Sequence, residues 1–229
     1  MKELRKMTTQ PLMPDRRAAM READDGPDEK VRARNVRLIL DAATEVFSRK
    51  GFDGTRMAEI ATAAGLPKAN LYYYFASKEE IYSAIIQQLI ARWDDALANI
   101  RPDREPAEAL TGYIRAKLDY SRRHPRESRL FASEIIQGAR FLPAKDRAHM
   151  RAATDGYVAI IDRWIGEGRV RAISGHHLFI MLWAATQFYA DFEMLAADAL
   201  GRKKLKAQDF EQAAETIAGT ILRGIMPSG

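Results

Sequence analysis

Residues 55–80 read TRMAEIATAAGLPKANLYYYFASKEE, and this stretch predicts two short helices joined by a tight turn. The apolar residues of its first part repeat at helical offsets of three and four: Met57, Ile60, Ala61 and Ala64. Thr55 is the predicted N-cap of this helix, because its hydroxyl can accept a backbone N–H. Gly65 then ends the helix. Pro67 suits the first turn of the next helix, over about 67–74, because that position needs no N–H donor.

A helix, a glycine turn and a second short helix make the pattern of a helix-turn-helix. In such a unit, the N-terminal residues of the second helix meet base edges in the major groove of DNA. Lys68 and Asn70 can reach bases or phosphates, and Leu71 and Phe75 are predicted to anchor the helix. Three tyrosines add hydroxyl groups: Tyr72, Tyr73 and Tyr74. The same shape occurs in helical bundles that do not bind DNA, and tyrosine runs are often core, so the residues alone leave both readings open.

The flanking segments extend this unit in both directions. A helix over about 31–50 precedes it, with apolar residues on one face: Val36, Ile39, Leu40, Ala43, Val46 and Phe47. Its start carries Arg32, Arg34 and Arg37, which as a group are reasonable phosphate contacts. Residues 1–30 are charged, contain Pro and Gly and lack periodicity, which predicts a disordered or frayed arm. The sequence Ser77-Lys78-Glu79-Glu80 has the form of a capping box and begins a fourth helix.

The rest of the chain stays helical in pattern and contains no strand signal, so we predict an all-α protein. Residues 31–82 would form the helix-turn-helix domain and residues 83–229 a larger helical domain. A predicted helix over 175–199 is apolar nearly all round, which indicates burial by its own domain and by a partner subunit. The last helix, about 207–224, has a stripe predicted to form a four-helix dimer interface: Phe210, Ala214, Ile217 and Ile221.

Composition excludes several classes of function. The 229 residues include no cysteine, which excludes a disulfide scaffold, a cysteine-ligated metal and a cysteine nucleophile. The four histidines have no metal-ligand spacing, and no nucleophile-elbow, dinucleotide or P-loop motif occurs, so we expect no enzyme, metal or cofactor. No apolar run has the length of a membrane helix and no signal peptide is evident, which predicts a cytoplasmic protein without a membrane partner. The net charge of +5 is compatible with a polyanionic partner.

Residues 33–82 resemble the DNA-binding domain of TetR-family transcriptional regulators. The residues that carry the resemblance include Ile39, Ala43, Phe47, Gly51, Phe52, Ile60, Ala64, Gly65, Leu71-Tyr72-Tyr73-Tyr74-Phe75 and Ser77-Lys78-Glu79. The resemblance implies that Thr55, Tyr72 and Lys78 touch phosphates and that residues 67–73 read the groove. Pro67 departs from the commoner serine, which puts one phosphate contact in doubt. The predicted DNA-binding residues are Arg34, Thr55, Arg56, Lys68, Ala69, Asn70, Tyr72, Tyr73 and Lys78.

The second half resembles a subgroup of the same family, the Rut-type regulators of pyrimidine utilisation. The segments that match are 113–118, 128–131 and 181–192. This resemblance implies a homodimeric repressor that releases its double-stranded operator on binding uracil or thymine, with Trp93, Trp183 and Gln187 as ligand contacts. Indole rings can stack on a flat pyrimidinedione, and a glutamine amide can pair with two adjacent edge atoms. Two alternatives stay open: another small effector, or a DNA-binding dimer without one. A cavity lined by these three residues would favour an effector.

Overall fold

The computed structural model describes residues 27–227, and most of the predicted N-terminal arm lies outside them. These residues form ten α-helices and no strand, which confirms the all-α prediction. The chain divides into two compact units, Met1–Arg37 and Leu38–Gly229. The described part of the first unit is the beginning of helix α1 (Pro27–Lys50), with Arg34 and Arg37 exposed. Helix α1 starts earlier than the predicted residue 31.

Three further helices follow α1 in the first part of the second unit. They are α2 (Met57–Ala63), α3 (Lys68–Tyr74) and α4 (Lys78–Leu97). Ser77 caps α4, as predicted: its hydroxyl accepts the N–H of Glu80 at 3.2 Å, and the Glu80 carboxylate accepts the N–H of Ala76 at 2.7 Å. The N-cap predicted for α2 is wrong. Arg56 occupies that position, while the buried Thr55 turns its hydroxyl back to donate to the Gly51 carbonyl at 2.7 Å.

Six helices form the larger bundle of the second unit. They are α5 (Pro106–Arg123), α6 (Pro125–Ile136), α7 (Ala144–Gly166), α8 (Gly175–Asp191), α9 (Glu193–Ala199) and α10 (Ala207–Ile225). Helix α5 is central, because α4, α6, α8 and α10 all pack against it. The largest fully buried side chains of this bundle are Trp164, Tyr113 and Phe179. The apolar core therefore surrounds α5, and α4 joins it to the short helices.

The single helix predicted over 175–199 is wrong. The chain leaves α8 at Phe192, whose φ of −121° and ψ of 40° are not helical, and continues as α9. Nor is α8 buried on all sides within one chain, because Ile180 is 54% exposed and Met181 and Phe188 are exposed as well. These three side chains follow helical spacing, so they form one open apolar face of α8.

The stripe predicted to form the dimer interface faces inward instead. Phe210, Ala214 and Ile221 are buried within the subunit, and Ile217 is partly buried against the same core. The reason is that α5 lies along this face of α10 and covers it. Three of the four side chains are therefore buried by their own chain, and Ile217 is the one that keeps some exposed surface.

Candidate functional site

The turn between α2 and α3 is set by its glycine. Gly65 has a φ of +66°, a conformation that side chains with a Cβ rarely adopt. Its N–H donates to the Thr62 carbonyl at 3.1 Å, and the Leu66 N–H donates to the Ala61 carbonyl at 3.0 Å. This pair of bonds is the Schellman motif, which satisfies the last carbonyls of α2 and reverses the chain into α3.

Helix α3 has one buried side and one exposed side. Leu71 is fully buried and Phe75, just after the helix, is buried too, which confirms both as anchors. The exposed residues of α3 include five predicted DNA contacts: Lys68, Ala69, Asn70, Tyr72 and Tyr73. The Tyr73 side chain is 73% exposed, and the Lys68 ammonium lies 5.8 Å from the centre of the Tyr72 ring. A single short helix thus presents a cation, an amide and two phenols to solvent.

Two of the predicted phosphate contacts lie together beneath the α1–α2 turn. The Lys78 ammonium donates to the Phe52 carbonyl at 2.9 Å and the Thr55 carbonyl at 3.3 Å, and it lies 4.3 Å from the centre of the Phe52 ring. Thr55 is buried, so its hydroxyl is directed into the turn. Both side chains hold the turn in place, whereas Arg56 beside them is exposed. Arg34 belongs to the other compact unit.

A cavity of about 380 Å³ lies among α4, α5, α6, α7 and α8. The structure brings all three predicted ligand contacts, Trp93, Trp183 and Gln187, to its wall. Most of the other lining side chains are apolar or aromatic, among them Leu97, Phe131, Ile135 and Met150. A mainly apolar wall with a few polar groups is typical of small-molecule sites.

The polar groups of the cavity differ in what they already bind. The Trp183 indole N–H donates to the Tyr113 hydroxyl at 2.9 Å. The Trp93 indole N–H, in contrast, is buried without a hydrogen-bond partner among the described residues, although the Trp93 ring packs edge-on against Phe131 at 4.6 Å. Leaving a buried donor unpaired costs about 1–3 kcal/mol. The side-chain amide of Gln187 also makes no hydrogen bond within residues 27–227.

Among the cavity residues that the sequence did not identify as site residues, Lys117 is both buried and ionisable. Its side chain is buried, and its ammonium lies 3.9 Å from the centre of the Trp93 ring. Burial lowers the pKa of Lys117 to about 7, although the nearby Asp191 carboxylate opposes this shift. Burial also raises the pKa of Asp191. The Ser128 hydroxyl donates a hydrogen bond to the Asp191 carboxylate at 2.6 Å, and this bond partly opposes the rise. In the sequence, Lys117 lies at helical spacing from the apolar residues Leu110, Tyr113 and Ile114 of α5, which places it on the buried side of that helix.

The described part of the chain contains neither a candidate metal-binding cluster nor a candidate membrane-spanning helix. No group of three or more His, Cys, Asp or Glu side chains within residues 27–227 is arranged to hold a metal ion. None of the helices in that range is long and apolar enough to cross a membrane.

A glycine turn between two short helices, the second of them exposed, is the arrangement found in helix-turn-helix transcriptional regulators. Residues 39–85 match the family described as bacterial regulatory proteins, tetR family, and residues 86–228 match the family described as YcdC-like protein, C-terminal region. The chain therefore belongs to the TetR family of transcriptional regulators, as the sequence resemblance predicts.

Individual relatives agree with this assignment. The chain is 39% identical to the HTH-type transcriptional regulator RutR of Escherichia coli K12 over 191 residues, which are 83% of this chain and 90% of RutR. It is 30% identical to the HTH-type transcriptional repressor NicS of Pseudomonas putida over 157 residues, which are 66% of this chain and 73% of NicS. A tetR-family regulatory protein from Rhodococcus RHA1 has the same fold, with a TM-score of 0.68 at 18% identity over 85% of this chain and 98% of that one. RutR and NicS are both named as regulators of transcription.

Proposed function

We propose that the protein represses transcription as a homodimer, which binds a near-palindromic operator through α3 and leaves it when uracil or thymine enters the cavity. Residues 31–82 would bind DNA, and residues 83–229 would bind the effector and dimerise. The observation that carries the effector half of this proposal is the Trp93 indole N–H, a buried donor without a hydrogen-bond partner among the described residues, in a cavity wall that Gln187 and Lys117 also line.

The exposed side of α3 supports the DNA half of the proposal. Lys68 and Asn70 lie at the N-terminal end of the helix, which is the end that meets base edges in this motif. Tyr72 and Tyr73 follow on the exposed surface. Arg56 and Arg34 would neutralise phosphates, which fix the register of a protein on the duplex. Thr55 and Lys78 would act through the turn that they hold, because their side chains already bind its backbone.

The chemistry of the cavity favours a flat, uncharged ring with several acceptors. Uracil offers two carbonyl oxygens and two N–H groups on one ring plane, and thymine adds a methyl group that suits an apolar wall. The Trp93 N–H can only donate, and so can Lys117 while it is protonated, so both suit an acceptor on the ligand. The Gln187 amide can donate and accept, which matches a carbonyl beside an N–H. The Trp93 and Trp183 rings supply stacking faces.

The open face of α8 is the surface that we assign to the dimer, in place of the inward stripe of α10. Ile180, Met181 and Phe188 are exposed on one side of α8, and Phe192 extends the apolar surface past its end. Large exposed apolar patches mark protein interfaces, and a two-fold dimer places the same patch on both subunits. Two such subunits would present two α3 helices to two operator half-sites.

Helix α4 supplies a direct route from effector to DNA. It begins next to α3, and Trp93 lies 16 residues after Ser77, or roughly 24 Å at 1.5 Å per residue. A ligand that draws Trp93 toward Trp183 and Gln187 would therefore displace the beginning of α4 and change the spacing of the two α3 helices. The ligand can shift this equilibrium only by its differential affinity for the two states.

Tryptophan fluorescence tests the effector assignment directly. The chain has three tryptophans; Trp93 and Trp183 line the cavity, and Trp164 is fully buried in the core. Uracil should quench the emission saturably. Gln187→Ala should weaken binding about 5- to 150-fold, because truncation leaves ligand atoms unpaired at a cost of about 1–3 kcal/mol. The exposed Gln88 of α4 lies outside the cavity, so Gln88→Ala should bind as the wild type does.

The two alternatives predict different titrations. If uracil and thymine leave the emission unchanged while another flat metabolite quenches it, the effector is that compound and not a pyrimidine. If no compound in a broad metabolite panel changes the emission or the melting temperature, the protein is a DNA-binding dimer without a small effector. A ligand at 100 times its Kd should add about 2.7 kcal/mol to the free energy of unfolding, which a thermal-shift measurement detects.

A further inference from the structure

The loop between α6 and α7 packs against the turn that leads into the helix-turn-helix. The Phe141 ring of this loop lies 4.0 Å from the Phe52 ring, centre to centre, and 5.5 Å from the Tyr82 ring of α4. The Ser83 hydroxyl donates to the Phe141 carbonyl at 3.1 Å, which ties the loop to α4 as well. Phe52 lies in the turn between α1 and α2, so the loop contacts the residues that lead into the helix-turn-helix.

A buried carboxylate holds this loop in place. Glu134 of α6 is only 3% exposed, and its carboxylate accepts the N–H of Phe141. It also interacts with the Tyr82 hydroxyl: burial raises the pKa of Tyr82, and the negative charge of Glu134 raises it further. One side chain of α6 is thus hydrogen-bonded to the loop and interacts with Tyr82 of α4.

Neighbouring residues of α6 face the cavity. Phe131 and Ile135 line it, and Phe131 packs edge-on against the Trp93 ring at 4.6 Å. Glu134 lies between them in sequence, three residues after Phe131. Because α6 is a short, hydrogen-bonded helix, a shift of its cavity side moves Glu134 and the start of the loop with it.

This series of contacts ends at the α1–α2 turn, which precedes the helix-turn-helix. The Lys78 ammonium lies against the Phe52 ring and donates to the carbonyls of Phe52 and Thr55. Thr55 immediately precedes Arg56, the N-cap of α2. A displacement of Phe52 therefore acts on the residues from which α2, and after it α3, begin.

We propose that Glu134 and Phe141 are positioning residues that transmit a change in the cavity to the helix-turn-helix through the α6–α7 loop, as a second route beside α4. The proposal rests on the proposed function, because it takes the cavity as the effector site. The coupling between the cavity wall and the turn at Phe52 can nevertheless be measured in the protein alone, with neither ligand nor DNA present. A merely structural loop would stabilise the protein without making the turn at Phe52 respond to the cavity wall.

Hydrogen exchange in a double-mutant cycle separates these two roles. Phe131→Leu perturbs the cavity wall, and Phe141→Ala removes the ring that meets Phe52. The readout is the exchange rate of the Thr55 amide, which donates to the Phe52 carbonyl at 3.2 Å. Phe131→Leu should accelerate this exchange about 2- to 12-fold, the range expected for an aromatic pair. In the Phe141→Ala background it should produce no further change, because the link is already broken.

A gentler variant and a matched control complete the experiment. Glu134→Gln keeps the shape of the side chain and an acceptor for the Phe141 N–H but removes the charge, so it should reduce the response to Phe131→Leu without unfolding the protein. Ile136→Ala changes an adjacent side chain that is 80% exposed, and it should leave the response unchanged.

Equal acceleration by Phe131→Leu in the wild-type, Phe141→Ala and Glu134→Gln backgrounds would overturn the link, and so would no acceleration in the wild type. These outcomes leave the effector assignment intact. Failure of uracil to bind would refute the effector assignment and leave the link as measured, because neither ligand nor operator is present in the exchange experiment.

Discussion

Replacing Lys117 by methionine should change how the stability of the protein depends on pH. The ammonium is buried in the cavity wall, and its pKa falls from 10.5 to about 7 on folding because burial penalises the charged form. Methionine keeps the length of the side chain and removes the ionisable group, so the variant tests the titration rather than the packing.

The sign and size follow from proton linkage. Between about pH 7 and pH 10.5 the unfolded chain holds the Lys117 proton and the folded chain does not, so the free energy of unfolding rises with pH. One proton contributes up to about 1.4 kcal/mol per pH unit. Between pH 7.5 and 9.5 the wild type should therefore gain about 2.5 kcal/mol relative to Lys117→Met. Below pH 7 both states hold the proton, and the difference between the two proteins should become constant.

Urea denaturation at pH 7.5, 8.5 and 9.5, at one protein concentration, measures this difference. Lys145→Met, which changes an exposed lysine at the start of α7, is the matched control and should run parallel to the wild type. If the wild type and Lys117→Met also run parallel, Lys117 does not lose its proton on folding. A neutral Lys117 amine in the cavity wall at these pH values would then be excluded.

Three further substitutions test the assigned surfaces. Lys68→Ala should weaken operator binding and lower the slope of log affinity against log salt by about one, measured by fluorescence anisotropy at several salt concentrations; an unchanged slope would remove Lys68 from the DNA-binding surface. Lys78→Ala should instead lower the free energy of unfolding by about 1–2 kcal/mol in urea, since two hydrogen bonds from a charged donor are lost. Full stability with a reduced salt slope would make Lys78 a phosphate contact. Ile180→Glu should give monomers in analytical ultracentrifugation, while Ile136→Glu, on an exposed part of α6, should not; a dimer in both would place the interface elsewhere.

The helix-turn-helix could be predicted from sequence because local signals determine it. Gly65 supplies the positive φ of the turn, Ser77 supplies the cap of α4, and Leu71 and Phe75 repeat at the spacing of a buried face. The role of Thr55 could not be predicted, because a threonine hydroxyl can either cap a helix or donate to the carbonyl four residues back, and the sequence does not decide between these bonds.

Errors in the larger domain have a common physical cause. An apolar stripe indicates that a helix face is buried, but it does not show whether a helix of the same chain or a partner subunit buries it. Phe210, Ala214 and Ile221 pack against α5 of their own chain. The break at Phe192 involves neither glycine nor proline, so no local signal marks it. Lys117 lies in the stripe of α5, and only the tertiary packing decides whether its ammonium reaches solvent or stays in the cavity.

The cavity residues were predicted by resemblance, and their meeting in space depends on packing. Trp93 comes from α4, and Trp183 and Gln187 come from α8, at positions far apart in the sequence. Periodicity places Trp183 and Gln187 on one side of α8, four residues apart. It cannot place Trp93 opposite them, because that depends on how α4 and α8 pack around α5. The unpaired state of the Trp93 N–H likewise follows only from the three-dimensional arrangement.

Operator affinity with and without uracil, in the wild type and in Gln187→Ala, tests the central claim most directly. The duplex would be one that the full-length protein selects from random sequence. We expect uracil to weaken wild-type binding about 5- to 150-fold, the usual range of allosteric coupling. Gln187→Ala should bind the operator as the wild type does and should require far more uracil to leave it. Wild-type affinity that is the same with and without saturating uracil or thymine would contradict the proposed effector, and a Gln187→Ala response identical to the wild type would place the effector site outside this cavity.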